Sequence, residues 1–443
     1  MNIKYDKGDV LDGSRKISYE NDDKRLNREE YMLKYIEQNK AIGFYKKKYG
    51  EQNALNYIKN EYVKYRKFWK AQPAEYISNQ KDLMDIPPLC VDIETASICD
   101  LACPFCYRSF IATPDKVMDF DFGISLIDQI ANLKVPSMKF NWRGEPLLHP
   151  KLEELISYAK LNGIIETLIN TNATKLNEKR AHKIINSGLD HLIYSFDGGS
   201  KETYEKNRPG RFSNNSFEQV LANIKGFKKI RDSIGSKFPR TKIQMILTEE
   251  TYKEQQSFLD LFWDYVDEVT VTQYSERGGG LSDLTSIDRD KVIKKATNLG
   301  YKSFEELNYM KTGSGEFFIS QGRKACEQPF QRLLITYDGR VSMCCYDWGA
   351  KHTVACLKDL PEDPNYDKNE PLSKSRNNSP SFKKLKSIEL PKQYIKFPNK
   401  ASTLKEAWNS KVIKSVRKLH ATGKVDSIDI CKNCSFKDTY EWK

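Results

Sequence analysis

Short β-rich runs alternate with longer stretches of helical periodicity from about residue 88 to residue 280. The strand candidates are 89–94, 138–142, 166–170, 191–196, 242–247 and 268–272. Between them helices are predicted near 122–133, 151–161, 178–187, 217–234 and 252–265. Strand–helix alternation at this spacing predicts right-handed βαβ units and a parallel sheet. Six strands suit a partial α/β barrel, in which function sits at the C-terminal ends of the strands.

The flanks read differently. Residues 1–87 predict a mainly helical extension behind a polar start. Positions 27–69 contain no Pro and only Gly43 and Gly50 as breakers, and Tyr31, Met32, Tyr35, Ile36, Leu55, Ile58, Tyr62 and Tyr65 recur at helical spacing. This extension is expected to pack on the outside of the domain at 88–280. Residues 281–320 read as a helical connector with a loop at Gly313 and Gly315. Residues 321–443 read as a smaller cysteine-bearing domain, with an insertion at 360–400 rich in Pro, Asn, Ser and Lys.

Composition narrows the classes. The 443 residues are 39 % hydrophobic and 12 % aromatic, enough for a core and against wholesale disorder. No apolar run has the length of a membrane span, and the polar start lacks the apolar centre of a signal peptide. A cytoplasmic, reducing location is therefore expected, where the ten cysteines point to metal or redox chemistry rather than disulfides. The net charge of +12 is spread along the chain among acids, and no nucleic-acid module is recognisable, which weighs against a nucleic-acid partner.

Cys99, Cys103 and Cys106 follow the first predicted strand on one short loop. Three thiolates there can each bind one iron of a 4Fe–4S cluster and leave the fourth iron open. The alternative, structural zinc, usually takes four ligands in two separated pairs; Cys90 lies within the predicted strand and reads as core. The segment CDLACPFCYR resembles the signature of the radical S-adenosylmethionine (SAM) superfamily, with Phe105 at its aromatic position. The resemblance implies a partial (β/α)6 TIM-like barrel in which SAM chelates the open iron and is reductively cleaved to a 5′-deoxyadenosyl radical that abstracts hydrogen from substrate. Gly144, Glu145 and Pro146 resemble the family's SAM-contacting motif. Asn172 in Asn170-Thr171-Asn172 resembles a motif on the same face, Ser195 and Asp197 resemble its SAM- and ribose-contacting positions, and Arg208 stands where similar enzymes carry an arginine for the SAM carboxylate. Taken singly, such segments also read as a turn or a helix cap; their order at successive strand ends is what carries the resemblance.

Cys326, Gly339, Cys344 and the Cys431-x2-Cys434 pair, with a short helix introduced by Trp408, resemble the SPASM domain found behind many radical SAM cores. The segment ITYDGRVSMCCYD reads as a hairpin with an Asp-Gly turn. The resemblance implies an auxiliary 4Fe–4S cluster on Cys326, Cys344, Cys431 and Cys434, one such cluster rather than two. Zinc is the competing occupant. Cys345 is an alternative to Cys344, and Cys356 reads as core.

The implied partners are SAM, an external electron donor of the flavodoxin or ferredoxin type, and a peptide or small polar (sugar- or nucleotide-like) substrate undergoing oxidation, dehydration, epimerisation or crosslinking. Gln273, Tyr274, Glu276 and Arg277 are candidate substrate contacts. Tyr346 and Asp347 are placed to approach the same cavity, Asp347 as a proton acceptor. The five histidines form no pair at metal-ligand spacing and receive no role. Competing classes are a non-catalytic iron–sulfur or zinc scaffold and an RNA-modifying enzyme of the same superfamily.

Overall fold

The structure, a computed structural model, describes residues 4–5, 14–18, 26–79, 86–106, 108, 115–273, 286–301, 309–311, 316–347, 350, 352–359, 400–432, 434 and 440–442. Two short strands, β1 (Lys4–Tyr5) and β2 (Ser14–Ser18), precede three helices, α1 (Arg28–Lys34), α2 (Ile42–Tyr49) and α3 (Glu51–Asn79). The parallel strands follow: β3 (Cys90–Ile93), β4 (Ser137–Lys139), β5 (Glu166–Thr171), β6 (His191–Ser195), β7 (Arg240–Leu247) and β8 (Glu268–Gln273). They stand side by side in chain order, each parallel to the next. This is the order that successive right-handed βαβ units produce.

The crossover helices begin where their caps allow. Asp119, Asn177 and Ser216 accept the N–H groups of Phe122, Arg180 and Gln219, starting α4 (Phe120–Asn132), α6 (Glu178–Ser187) and α8 (Phe217–Ser233). The apolar faces of these helices and of α5 (Leu152–Leu161) share one core with alternate strand residues: Val91, Ile93, Met138, Ile169, Leu192, Tyr194, Ile243, Met245, Val269 and Val271. Each such buried side chain contributes about 1.5–3 kcal/mol. Because strand side chains alternate, the opposite face carries Asp92, Lys139, Asn170, Ser195, Gln244 and Thr270. The barrel is thus apolar under its helices and polar within.

Three features differ from the sequence reading. The N-terminal extension is not only helical: β2 adds antiparallel to β8, covering that edge of the sheet. Its helices close the N-terminal mouth of the barrel rather than the outside, packing Tyr31, Met32, Ile58, Tyr62 and Tyr65 with Leu89, Ile165 and Phe238, which precede β3, β5 and β7. The connector contains α11 (Ser286–Asn298), β9 (Tyr309–Lys311) and β10 (Phe317–Arg323), so a boundary at 320/321 cuts a strand.

The C-terminal region continues the same sheet. After α12 (Gln328–Gln331), β11 (Arg332–Ile335) runs parallel to β3, and β12 (Arg340–Ser342) and β13 (Thr353–Cys356) follow antiparallel. Three helices, α13 (Leu404–Trp408), α14 (Lys411–Ala421) and α15 (Asp429–Lys432), precede β14 (Tyr440–Trp442), which pairs with β10. The Gly313/Gly315 loop and positions 360–399 of the expected insertion lie outside the described residues.

A buried carboxylate holds the N-terminal plug. Glu166 is fully buried and receives Arg28 Nε (2.8 Å), His191 Nε2 (2.9 Å), Tyr65 Oη (3.1 Å) and Tyr62 Oη (3.3 Å). Burial pushes its carboxyl up, but Arg28 and then His191 outweigh burial and hold it well below the ordinary range. Such a depressed carboxylate contributes stability above its unfolded pKa, lost as pH falls through the folded one. Arg28→Ala is expected to cost about 2 kcal/mol at neutral pH, less than the 3–5 of a fully buried pair because the Arg28 side chain is 35 % exposed. The gap to the parent should narrow as pH falls below the ordinary carboxylate range toward the depressed native value, where Glu166 begins to protonate in the parent as well. Denaturant midpoints at pH 7.5 and pH 4 check this; an unchanged midpoint at pH 7.5 would contradict it.

Candidate active site and auxiliary cysteine site

The loop carrying Cys99, Cys103 and Cys106 leaves β3 at the C-terminal mouth and is fastened along both edges by backbone bonds. On one side Ser97 N–H donates to Lys116 O (2.9 Å) and Glu145 N–H donates to Ile98 O (2.8 Å). On the other, Ala102 N–H donates to Pro209 O (2.8 Å) and Arg211 N–H to Asp100 O (2.7 Å). Gly144 makes the first edge possible. Its φ is +71°, and a Cβ there would stand 2.4 Å from Ala96 O and 2.5 Å from Ile98 O, closer than any side chain tolerates.

Glu145 ties this loop to the next strand ends. Its buried carboxylate accepts from Leu147 N–H (3.0 Å), Thr171 Oγ1 (2.6 Å) and Asn172 N–H (2.7 Å). Burial, then Asp100 nearby, push its pKa up to about 7. Pro146 begins a short 3-10 turn with Leu147 and Leu148. The Asn172 amide donates to Asp100 Oδ1 (2.8 Å) and lies 4.0 Å from Cys99 Sγ. Thr174 Oγ1 holds the other Asp100 oxygen at 2.6 Å. The Asn172 side chain thus ties the end of β5 to the cysteine loop.

Ser195 ends β6 half-buried on the polar face. Asp197 and Arg208, expected to contact different parts of a cofactor, are brought together: the Asp197 carboxylate takes Arg208 Nε (2.7 Å) and Nη2, and its other oxygen takes Ile246 N–H (2.7 Å). Both residues are buried. The pair lies within electrostatic range of Cys103, whose thiol burial pushes up to about 12, with Arg208 pulling the other way. Burial, then Glu145, Cys103 and Asp100, raise Cys99 further. Phe105 is half-buried on the same loop. Asn170 Oδ1 is buried with no hydrogen-bond partner among the described residues.

The second group of cysteines also assembles. Burial, the largest cause, raises the Cys326, Cys344 and Cys431 thiols; neighbouring Cys434 adds to all three and Cys345 to the first two, and Cys431 is pushed up to about 12. Cys356 is apart, buried with its thiol on Lys400 O (3.0 Å). The site abuts the barrel: Trp142, two residues before Gly144, donates its indole N–H to Cys345 O (3.0 Å). Beside it Arg143 and Glu94, both fully buried, form a two-bond pair at 2.6 and 2.8 Å.

Asp347 lies in the turn after Cys344. It is 2 % exposed, and its Oδ2 accepts from Ser342 Oγ and His352 N–H, both at 2.9 Å. These two bonds brace the turn after Cys344. Tyr346 is half-buried in that turn. Tyr274, Glu276 and Arg277 lie outside the described residues, and Gln273 is described only as the end of β8. Sequence reasoning missed His420 and Arg323. His420 Nδ1 accepts from Cys326 N–H (3.1 Å), and Arg323 donates to Cys431 O (2.7 Å). Position alone gave no signal for either; the amphipathic pattern of α14, with His420 on its buried face, was the available hint.

A thiol triplet on a fastened loop at a barrel mouth, followed by a second thiol group behind the barrel, defines an iron–sulfur enzyme of the partial-barrel class. Residues 93–262 match the radical SAM superfamily, and residues 326–435 match an iron–sulfur cluster-binding domain, SPASM. The chain belongs to the radical SAM superfamily and carries a SPASM domain behind the catalytic one. A SAM-binding 4Fe–4S cluster, SAM and auxiliary iron–sulfur binding accompany these domains.

Similar curated proteins include a tungsten-containing aldehyde ferredoxin oxidoreductase cofactor-modifying protein of Pyrococcus furiosus, 25 % identical over 170 residues. That match covers 37 % of this chain and 44 % of the relative, so the chain spans less than half of the relative's length. A GTP 3′,8-cyclase of Limosilactobacillus fermentum is 26 % identical over 286 residues, covering 60 % of this chain and 82 % of the relative. Among solved structures, Streptococcus suis SuiB bound to precursor peptide SuiA aligns with a TM-score of 0.44 at 16 % identity, over 82 % of this chain and 84 % of that one. Among the described residues no helix is long and apolar enough to cross a membrane.

The donor sets suit the groups the family uses. Each site offers several thiols, Cys103 and Cys431 buried and the others partly exposed. Among the described residues no three His, Cys, Asp or Glu converge closely enough for one metal ion. Gly144→Ala is expected to push the Ala96–Ile98 carbonyls away and displace the cysteine loop, costing at least about 2 kcal/mol for the clash and the positive φ. Iron content per folded protein, with circular dichroism as the folding control, should drop to about half; parental iron content would contradict this.

Proposed function

We propose that Cys99, Cys103 and Cys106 hold the SAM-binding cluster, and that the enzyme oxidises a polar substrate, a peptide or a small sugar- or nucleotide-like molecule, within the barrel mouth. The observation that carries this reading is the position of the triplet loop beside the buried Asp197–Arg208 pair, with Cys103 in electrostatic range of both. When bound and reduced, the cluster and SAM supply a 5′-deoxyadenosyl radical for hydrogen abstraction.

The chain's own residues bind and orient. The backbone at Gly144–Pro146 and the Ser195 hydroxyl offer polar atoms to SAM at adjacent strand ends. Asp197 and Arg208 neutralise each other, so a zwitterionic or hydroxylated ligand end meets a fixed dipole that needs no reorganisation. Asn170 Oδ1 is an acceptor awaiting a donor, and removing it from water without one is costly. Below it, Gln244 (Nε2 to Thr272 Oγ1, 3.2 Å) and Lys139 continue a polar lumen suited to a hydrogen-bonding substrate. The helical plug on the opposite mouth excludes water from below.

Cys326, Cys344, Cys431 and Cys434 are the proposed ligands of an auxiliary cluster, with Cys345 beside them. The Trp142–Cys345 contact brings this site against the barrel wall, which supports a role in receiving an electron from the substrate radical, hence oxidation. An external flavodoxin- or ferredoxin-like protein is the proposed reductant.

Anaerobic reconstitution with iron and sulfide, followed by a SAM-cleavage assay, tests the reading. About eight irons per chain, four per cluster, are expected. Cys99→Ala/Cys103→Ala/Cys106→Ala should retain about half of them and form no 5′-deoxyadenosine. A triple variant that still cleaves SAM, or a parent that never does, would sink the assignment.

A further inference from the structure

His420 sits in the last turn of α14, 2 % exposed, between the two ends of the auxiliary site. Its Nδ1 accepts the backbone N–H of Cys326 at 3.1 Å, and its Nε2 lies 3.7 Å from Cys431 Sγ. A ring nitrogen that accepts an N–H carries no hydrogen itself. The imidazole is therefore the neutral tautomer with its hydrogen on Nε2, and that hydrogen faces the Cys431 sulfur. Both nitrogens are thus committed, which excludes His420 as an iron ligand in this arrangement. Arg323 acts on the same residue from the backbone side, donating to Cys431 O at 2.7 Å, so the thiol's position relative to the ring is fixed from two directions.

We propose that His420 is a positioning residue of the auxiliary cluster, donating an Nε2–H hydrogen bond to the Cys431 thiolate and thereby setting the cluster's reduction potential. The inference rests on the reading above that Cys326 and Cys431 ligate that cluster. A hydrogen bond to a ligating sulfur draws electron density from it and stabilises the more negative, reduced cluster, so the potential moves up. The same ring, by accepting the Cys326 N–H, couples the orientation of one ligand segment to the sulfur of another. A cluster poised to take an electron from a substrate radical gains from such a bond.

The test uses the full chain carrying Cys99→Ala/Cys103→Ala/Cys106→Ala, so that the remaining paramagnetic signal is that of the auxiliary cluster. About four irons and four sulfides per chain are expected in this background; zinc in their place, or no cluster signal on reduction, would overturn the auxiliary-cluster reading itself. With the cluster present, potentiometric EPR titration should give a more negative midpoint for His420→Leu. His420→Gln can accept through Oε1 and donate through Nε2, and should lie nearer the parent. A cluster-loaded His420→Leu with the parental midpoint would overturn the inference. A second measurement needs no variant: in the same background with 15N-labelled histidine, the reduced cluster should show one weak imidazole coupling transmitted through the hydrogen bond. No coupling, or a strong coupling of the directly ligated kind, would overturn it equally.

Discussion

Much of the active-site mouth hangs on one buried carboxylate. Glu145 leaves the end of β4, and its two oxygens gather donors from its own turn and from the end of β5. Its backbone N–H holds the segment that carries the cysteines. Through Asn172 the same linkage reaches Asp100 and approaches the Cys99 sulfur. Three loops that have no apolar core of their own are thereby joined by polar contacts in a dry environment, where satisfied hydrogen bonds are strong and unsatisfied ones are costly. Such a network tolerates little displacement.

Charge is handled by the same rule at both mouths of the barrel. Glu166 with Arg28 and His191 closes the N-terminal end, whereas Asp197 with Arg208 and Glu94 with Arg143 stand at the other. Buried pairs of this type add little net stability over apolar replacements, but losing one partner is expensive. Two of them act as registration devices, joining segments far apart in the chain, Glu94 to Arg143 and Arg28 to Glu166. The apolar face of the sheet supplies the stability, which leaves the inner face available for polar chemistry.

The parallel strands and their crossovers were legible because each carries its own signal, as in β6, where Leu192 and Tyr194 alternate with Ile193 and Ser195 beside a capped helix. The thiol triplet and the strand-end motifs were legible for a similar reason: their spacing is local. What escaped were partnerships across long separations. Nothing near residues 14–18 announces an antiparallel neighbour at 270–272, and nothing in 332–335 announces β3. Asp197 and Arg208 were each recognised as functional positions, yet their mutual pairing depends on the fold bringing α7 (Lys201–Asn207) back over β6. Asp347 was singled out by its position near a cysteine, and its hydrogen bonds to Ser342 and His352 became visible only in the fold. His420 had no sequence neighbour to suggest thiol chemistry, because its partners come from α15 and from the segment before β11.

The continuity of the sheet through β11 has a further consequence for biosynthesis. The cysteine loop leaves β3, a strand whose neighbours are β4 and β11, the latter contributed by residues 332–335. While a ribosome is still adding that segment, β3 is an uncovered edge with free backbone groups on one side. The strand beside the cysteine loop is paired on that side only once residues 332–335 are made, and pairings of such high sequence separation form slowly. The two cysteine groups thus flank one continuous sheet, and a fragment cut between them would leave β3 an exposed edge.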